Sequence, residues 1–300
     1  MKKILVIITV LVALNINAQQ DPQYTQYMYN MSTINPAYAG SVGGISMGLL
    51  YRAQWQGLDG APRTGTFFGH APVSEKIGVG LSIVSDKTGP YNETNLTADF
   101  SYTIKFPKKR KLSFGLKSGA SFYDIGLIDV ITSDPNDPLY GNNINSINPI
   151  IGVGLLYHTD KYYISASIPN VLESLHMDYN GHEIGSEYRH YYLTAGYLFK
   201  LSENASFKPS FLVKSAFEAP ASFDLNANFK FYDKVEIGAS YRVDDSLSGL
   251  INFDVTPNIT IGYAYDRVTS SIQYFASASH EFLLLIDLKS SKDNGPAKFF

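Results

Sequence analysis

The chain has 300 residues and a mass of 33.2 kDa, with 17% charged residues, 14% aromatic residues and a mean hydropathy of −0.07. This composition excludes a helical membrane protein and a disordered chain. The absence of Cys excludes a disulfide scaffold, a thiolate metal site, a cysteine nucleophile and a lipoprotein anchor. A net charge of −3 argues against nucleic acid as the main partner.

The first 18 residues have the features of a secretory signal peptide. Lys2 and Lys3 precede an apolar run from Ile4 to Leu14, and Asn17-Ala18 offers a small-residue cleavage site. A transmembrane anchor is the alternative, but the run is shorter than the roughly 20 residues that a helix needs to cross a bilayer. We therefore expect residues 1–18 to be removed and the mature chain to be exported.

The next stretch, which we call the N-terminal segment (residues 19–41), differs from the rest of the mature chain. It is rich in tyrosine, lacks clear alternation, and contains turn-forming residues at Asn35-Pro36 and Gly40. It is too apolar for a free tail. We predict that it folds back on the periplasmic mouth of the downstream domain or into its interior.

From residue 42 onward, apolar and polar residues alternate. Between 96 and 106 every even position is apolar and every odd position is polar. About fourteen such segments follow one another, most about ten residues long, which is the length of a tilted strand that crosses a bilayer. They cover 44–55, 63–73, 76–86, 94–106, 111–124, 149–157, 161–169, 188–200, 205–217, 222–232, 234–244, 247–256, 258–267 and 272–288. The pattern predicts an all-β protein, a transmembrane outer-membrane β-barrel over residues 42–288, followed by a periplasmic tail at 289–300.

The connections between these segments differ in length. Short turns at 74–75, 107–110, 158–160, 201–204, 233 and 257 alternate with longer connections at 56–62, 87–93, 125–148 and 170–187. The connections near 218–220, 245 and 269–270 are predicted to be short. Since outer-membrane barrels have short periplasmic turns and long outer loops, we expect both termini to be periplasmic. A soluble β-sandwich also alternates, but it requires neither Tyr and Phe at both strand ends nor so few charges.

The polar face of the strands is predicted to line the lumen. Its charges of both signs fit either a water-filled pore or a plugged barrel. The proposed luminal residues are Arg52, Gln54, Asp99, Lys117, Lys214, Asp224, Asn226, Arg242, Asp266 and Glu281, with Lys105, Lys208, Lys230, Glu236 and Asp254 on the same face.

Several glycines fall on this luminal face: Gly78, Gly80, Gly115, Gly119, Gly152, Gly154, Gly238 and Gly262. Glycine in a strand often marks the close approach of another backbone. The N-terminal segment is our candidate for that backbone, and the curvature of the barrel is the other explanation.

No catalytic motif is recognisable. The sequence has no nucleophile elbow, phosphate-binding loop, dinucleotide fingerprint or zinc-protease helix. We therefore expect no enzyme activity, no cofactor and no small-molecule substrate. His176, His182 and His190 lie near acidic residues without the spacing of a known metal site, so we assign no metal to them. The stretch from Asp134 to Asp137 lacks the central Gly and closing Glu of a calcium loop.

A basic turn is formed by Lys108, Lys109, Arg110 and Lys111. Phospholipid headgroups are sufficient partners for such a turn. An acidic periplasmic protein is the alternative partner.

Two motifs near the mature N-terminus are distinctive, and weaker ones follow along the chain. They are DPQYTQYM at 21–28 and NPAYAGS at 35–41, then RAQW at 52–55, GAPRT at 60–64, SASIPNVL at 165–172 and GASYR at 238–242. With these motifs the chain resembles the PorP/SprF family of type IX secretion system membrane proteins over essentially its whole mature length. The ending PAKFF at 296–300 only approximates the family's proline-basic-aromatic ending.

The resemblance implies an integral outer-membrane barrel that is not an enzyme. Family members support the export or cell-surface attachment of particular cargo proteins, which carry a C-terminal targeting domain, and some serve large gliding adhesins. The implied partners are outer-membrane lipid, secreted cargo and other type IX secretion components. Residues that we expect to contact such partners are Asp21, Pro22, Gln23, Tyr24, Gln26, Tyr27, Asn35, Pro36 and Tyr38. A passive porin for small solutes is the alternative function.

Overall fold

A closed antiparallel β-barrel forms the body of the protein. The computed structural model describes residues 22–128, 142–175, 178–179, 182–183, 186–187, 189–216 and 219–289. We number the fourteen barrel strands β1 to β14 in chain order: Gly44–Ala53, Arg63–Pro72, Ile77–Thr88, Tyr91–Phe106, Arg110–Ile125, Ile144–His158, Tyr162–Ile168, His190–Tyr197, Ala205–Ala216, Ala219–Phe231, Val235–Arg242, Ser246–Thr256, Ile259–Val268 and Ala278–Lys289. Each strand pairs with the next, and β14 closes the barrel on β1 from Gly44 opposite Lys289 to Ala53 opposite His280. The predicted barrel of about fourteen strands is confirmed.

Some strand ends differ from the prediction. The predicted loop at 87–93 is a two-residue turn, because β3 and β4 stay paired up to Thr88 and Tyr91 and Gly89 supplies a φ of +56°. Strand β6 begins at Ile144 rather than 149, since residues 145–148, which are polar except for Ile147, continue the ladder with β5. Pairing with a neighbouring strand therefore extends strands through stretches that do not alternate clearly.

The connection before β14 also differs. The predicted strand at 272–288 begins only at Ala278, because Ser271–Tyr274 form a 3₁₀ helix. Backbone N–H groups of Gln273 and Phe275 bond to Ser270 and Ile272 within this connection instead of to a strand. The connection predicted to be short near 269–270 thus spans 269–277.

The barrel has two unlike ends. At one, which we call the turn end, β1 starts, β14 ends, and the connections are 73–76, 107–109, 159–161, 198–204, 232–234 and 257–258. The other, the loop end, carries the connections 54–62, 89–90, 126–143, 169–189, 217–218, 243–245 and 269–277. In the connection from β7 to β8, two-residue strands pair as Ser174–Leu175 with Ser186–Glu187 and Asp178–Tyr179 with His182–Glu183. A further two-residue strand, Phe199–Lys200, follows β8 and pairs with the start of β9.

Side chains alternate between the two faces of the wall. On β1, Leu50 and Arg52 are buried inside, whereas Leu49 and Tyr51 point outwards and are 53% and 46% exposed. The same alternation along the other strands leaves a wide apolar and aromatic exterior. Such an exterior is stable against lipid and unfavourable in water.

Helical structure in the described residues is limited to short turns. Besides the one before β14 these are 3₁₀ helices at Tyr27–Tyr29 and Pro36–Tyr38 and an α-helix at Met31–Ile34. Among the helices that the structure describes, none has the length and apolarity needed to span a membrane.

Candidate functional site

The described part of the N-terminal segment, residues 22–41, lies inside the barrel. Its apolar side chains form a cluster with inward-facing wall residues Leu50, Phe68, Leu156 and Leu283. The buried members from the segment are Tyr24, Tyr27, Met28, Tyr29, Met31, Ile34, Ala37 and Tyr38. The main apolar core of the protein is therefore made by this segment, and the lumen is occupied by the chain's own residues.

Three luminal glycines allow the segment to lie directly on the wall. A Cβ built on each would meet it at very short range: Gly78 at 2.1 Å from the Ala39 carbonyl oxygen, Gly115 at 2.1 Å from the Ala37 nitrogen, and Gly154 at 2.0 Å from Asn35 Oδ1. These separations are far below van der Waals contact. Any larger side chain at these positions would displace the segment or the strand.

The other predicted glycines are explained mainly by the wall itself. A Cβ on Gly80, Gly119, Gly152 or Gly238 would meet strand or loop atoms of the barrel, and one on Gly262 would meet both Asn252 and Gln26. Close approach of the N-terminal segment and close packing within the wall thus each account for part of the set.

Asn35 joins the segment to strands β6 and β7. Its side-chain oxygen accepts a hydrogen bond from the Ala37 backbone at 2.8 Å and so caps the 3₁₀ helix that begins at Pro36. Its side-chain nitrogen donates to Ser165 Oγ at 2.8 Å and to the Leu155 carbonyl at 3.0 Å. One amide therefore sets both the local turn and its position on the wall.

Further wall side chains donate to carbonyl groups of the segment. These bonds run from Ser101 Oγ to the Ala39 carbonyl at 2.6 Å, from Ser167 Oγ to the Ile34 carbonyl at 2.7 Å, and from Lys117 Nζ to the Ser32 carbonyl at 3.3 Å. Ser101 has no signal in the sequence beyond a place on the polar face of a strand. Ser167 lies in the SASIPNVL motif at 165–172, which does not by itself indicate a contact with the segment.

A buried ionic cluster near the loop end holds the start of the segment. Glu281 accepts hydrogen bonds from the backbone N–H groups of Thr25 and Gln26, at 2.9 and 2.8 Å. Arg52 pairs with Glu281 at 3.0 Å and with Asp266 at 2.6 Å. The Thr25 hydroxyl donates to Asp266 at 2.7 Å. Because Glu281 binds backbone N–H groups, its contact with the segment does not depend on which side chains residues 25 and 26 carry.

Arg242 lies beside this cluster. It forms a two-bond pair with Asp224, at 2.8 and 2.7 Å, and reaches Asp245 at 3.2 Å. A further N–H of its guanidinium donates to the Tyr24 carbonyl at 3.3 Å. The planar, five-donor guanidinium suits this use, since it can serve carboxylates and a carbonyl together.

A second cluster lies nearer the turn end. Lys208 pairs with Glu236 at 2.5 Å, Asn228 donates to the same carboxylate at 3.0 Å, and the Tyr29 hydroxyl donates to it as well. Burial and the neighbouring carboxylate raise the pKa of Tyr29 well above its ordinary range. The phenol therefore stays protonated and keeps its role as a donor.

Most predicted luminal residues lie on the inner face of the barrel and are buried. These are Arg52, Asp99, Lys117, Lys214, Asp224, Asn226, Arg242, Asp266 and Glu281. Asp99 pairs with Lys117 at 3.0 Å, Lys214 lies over the ring of Tyr192, and Asn226 donates to the Tyr27 hydroxyl at 3.1 Å. Gln54 is half-buried just beyond the end of β1, in the first loop-end connection.

The residues predicted to contact partners are mostly covered by the wall. Tyr24, Gln26, Tyr27, Asn35, Pro36 and Tyr38 are buried, Pro22 and Gln23 are half-buried, and Asp21 lies outside the described residues. In this arrangement a partner has access to the half-buried start of the segment. Contact with the buried side chains would require the segment to leave the lumen.

A cavity of about 100 Å³ remains between the segment and the wall. Pro22 and Tyr24 line it from the segment, and Asn95, Lys117 and His190 line it from the wall. Since small-molecule sites usually have about 300 to 1,000 Å³, this space does not indicate one.

No metal centre appears among the described side chains, where no group of three or more His, Asp or Glu residues is close enough to hold an ion. His190 is buried and lines the cavity. The side chains of His176 and His182, and the stretch from Asp134 to Asp137, lie outside the described part.

An apolar exterior, a polar lumen and closure by antiparallel strands define an outer-membrane β-barrel protein. Two solved structures are similar to this one. The CymD monoaromatic hydrocarbon channel has a TM-score of 0.53 and 12% identity, over 92% of this chain and 95% of that one. The outer membrane protein Omp33 of Acinetobacter baumannii has a TM-score of 0.50 and 9% identity, over 83% of this chain and all of the other. At these identities the likeness concerns the fold alone.

The family is given by the sequence. The chain belongs to the type IX secretion system membrane proteins of the PorP/SprF family, whose model matches residues 16–286. The comparison with curated proteins gave no match. The resemblance noted from the motifs is thus confirmed, and fold and family together place the protein in the outer membrane as a secretion-system barrel.

Proposed function

We propose that this barrel is a non-enzymatic, cargo-specific component of type IX secretion. It supports the export or the cell-surface attachment of particular cargo proteins with a C-terminal targeting domain, such as large gliding adhesins. Its partners are that cargo, other secretion components and outer-membrane lipid. The observation on which the proposal rests is the match of the family model to residues 16–286.

The filled lumen supports this function over passive transport. The segment from residue 22 to residue 41 occupies the interior through apolar packing and through backbone contacts with Glu281, Arg242 and Ser101. A barrel filled in this way suits a platform for partners, because the segment occupies the space that a solute path would need.

We assign the contacts with cargo to the loop end. The connections 126–143 and 169–189 are the longest in the barrel and are long enough to reach a partner beyond the membrane. The periplasmic side then falls to the turn end, where β1 begins, β14 ends and other secretion components dock, while the start of the N-terminal segment lies near the loop end. Deleting 170–187 without losing cargo display would remove that loop from the proposal.

Deletion of the gene, followed by quantitative proteomics of the cell surface and the culture medium, tests the function. We expect one or a few large surface proteins to disappear from the surface while other secreted proteins persist. Their appearance in the medium would assign the barrel to attachment, and their absence from both fractions would assign it to export.

Two other outcomes would contradict the cargo-specific proposal. Loss of all secreted cargo would make the barrel a core part of the secretion machine. Unchanged secretion would leave the passive porin as the better candidate. CymD is described as a monoaromatic hydrocarbon channel, and it shares this fold at 12% identity.

A further inference from the structure

Positive charge is concentrated on one side of the turn end. Lys108 and Lys109 are exposed in the connection from β4 to β5, Arg110 is exposed at the start of β5, and Lys161 is exposed in the next turn. Lys109 Nζ lies 2.8 Å from Asp160 Oδ2, so an ion pair joins the two turns. Within the described part of the chain, neither Lys108 nor Lys161 forms an ion pair. The two turns therefore present a single basic surface.

The backbone of this turn is unfavourable for the residues that occupy it. Lys108 has a φ of +62° and Lys109 a φ of +56°. Two consecutive left-handed residues are typical of type I′ turns, where Asn and Gly are strongly preferred. Lysine has no such preference and adopts this conformation at a cost. The residue preference of this backbone therefore does not account for the two lysines.

A row of aromatic rings runs along the outer wall beside the basic turn. Successive ring centroids are 6.0 Å apart for Tyr157 and Tyr162, 6.2 Å for Tyr162 and Tyr197, and 4.3 Å for Tyr197 and Phe199. The row continues through Phe207 to Phe229. These residues stand at or near the turn-end tips of their strands. In membrane barrels, aromatic rings at strand ends lie at the level of the lipid headgroups.

The cations and the aromatic row adjoin one another. Tyr162 is the first residue of β7 and follows Lys161 directly, and Arg110 is near enough to Tyr162 to interact with it electrostatically. By the general rule for aromatic rings in membrane barrels, these rings mark the headgroup region, and cations one residue further toward the turn end are within reach of lipid phosphates.

We propose that this basic-aromatic surface is a binding site for the headgroup phosphate of an anionic glycerophospholipid in the adjoining leaflet. It consists of Lys108, Lys109, Arg110 and Lys161 together with Tyr162 and Tyr197. The ligand is a lipid because the rings fix the site in the plane of the membrane. It is an anionic lipid because the surface has several cations and, at Asp160, a single acid that Lys109 already neutralises.

The test uses the purified full-length barrel in detergent, with phosphatidylglycerol and phosphatidylcholine as probes. Retained lipid is counted by mass spectrometry of the intact protein. We expect the wild type to retain phosphatidylglycerol preferentially, and Lys108→Asn with Lys109→Gly to lower that preference roughly 25-fold, because each of the two basic groups contributes about fivefold near a membrane. Asn-Gly is the preferred sequence for this backbone, so the variant should fold at least as well as the wild type.

The turn between β10 and β11 provides a matched control. Tyr232 and Asp233 also have left-handed φ values, +52° and +51°. Tyr232→Asn with Asp233→Gly makes the same backbone change on another part of the rim and removes no cation. Lipid preference should be unchanged in this control.

Three results would overturn the proposal. The first is a lysine variant that retains phosphatidylglycerol as the wild type does. The second is displacement of the lipid by millimolar inorganic phosphate, which would assign the surface to a free anion. The third is a wild type without lipid preference whose lysine variant loses cargo display in cells, which would assign the surface to an acidic protein.

Discussion

At the residue scale, Glu281 performs three tasks with one carboxylate. It accepts two consecutive backbone N–H groups, those of Thr25 and Gln26, and it neutralises Arg52. The side chain is fully buried, so water cannot replace any of these partners. A buried charge without its partners costs far more free energy than an exposed one.

Glu281→Gln is therefore expected to destabilise the protein. Gln keeps the shape but loses the charge and turns an amide N–H toward the donors of the segment. Because Asp266 still pairs with Arg52, we expect a loss near the lower end of the range for a broken buried pair, about 3 kcal/mol. The measurement is the temperature at which the folded barrel, which migrates faster in SDS gels, converts to the unfolded form.

Glu75→Gln is the matched control. Glu75 pairs with Lys105 at 2.9 Å in an exposed turn, where its side chain is 89% exposed. Because exposed ion pairs contribute little to stability, the Glu75→Gln variant should have the melting temperature of the wild type. Equal melting temperatures for Glu281→Gln and Glu75→Gln would show that the buried cluster does not stabilise the segment.

At the element scale, the N-terminal segment gets its conformation from the wall. Its longest helix has only four residues, too short to be stable alone. Its carbonyl and N–H groups instead bond to Glu281, Ser101 and Ser167 of the strands. Such a segment is ordered only while it stays in contact with the barrel.

Gly115→Val tests that dependence. The new Cβ would lie 2.1 Å from the Ala37 nitrogen, so the segment must move away, while valine itself favours the strand. A cysteine at Asn30 reports the movement. Asn30 is 1% exposed and its amide has no hydrogen-bond partner among the described residues, so Asn30→Cys costs little. We expect a polar maleimide to label this cysteine at least tenfold faster in the Gly115→Val background.

The chain has no native Cys, so labelling reports this one position. Gly249→Val is the control, because Gly249 also lies within a strand but a Cβ built on it would have no described atom within 4 Å. Its labelling rate should match that of Asn30→Cys alone. Equally slow labelling in both backgrounds would mean that the segment tolerates the new side chain.

At the scale of the whole molecule, an apolar exterior surrounds a lumen that the chain itself fills. The cavities described beside residues 22–41 are small, one of about 100 Å³ and another of about 30 Å³. The luminal charges form ion pairs between neighbouring strands, such as Asp99 with Lys117 and Asp224 with Arg242. If the segment were removed, water would hydrate these pairs and their charges would stay balanced.

Deleting residues 22–41 is therefore expected to convert a silent barrel into a conducting one. The measurement is single-channel current in a planar bilayer. The wild type should show no stable open level, and the deleted form should show steady conductance. The control lacks 170–187 instead and should stay silent, since its lumen is still filled. A steady open level in the wild type would contradict the platform function and favour the porin.

The number of strands, the face of each strand and the family could all be predicted from the amino-acid sequence. A side-chain period of two is a local property of strand geometry, and it can be counted without knowledge of the partner strand. The motifs around Asp21 and Asn35 are local in the same sense. Strand ends at 88–91 and 144 were less predictable, because pairing with a neighbour continues where alternation stops.

Which residues fill the lumen and how they are held there, in contrast, depends on closure of the barrel. Arg52 and Glu281 are 229 positions apart and meet because β14 closes on β1. The path of residues 22–41, the division of the glycines between segment and wall, and the choice of Ser101 and Ser167 as anchors all depend on that closure. A local pattern marks a residue as inward-facing, but the stagger of the closed barrel determines which inward-facing residues meet.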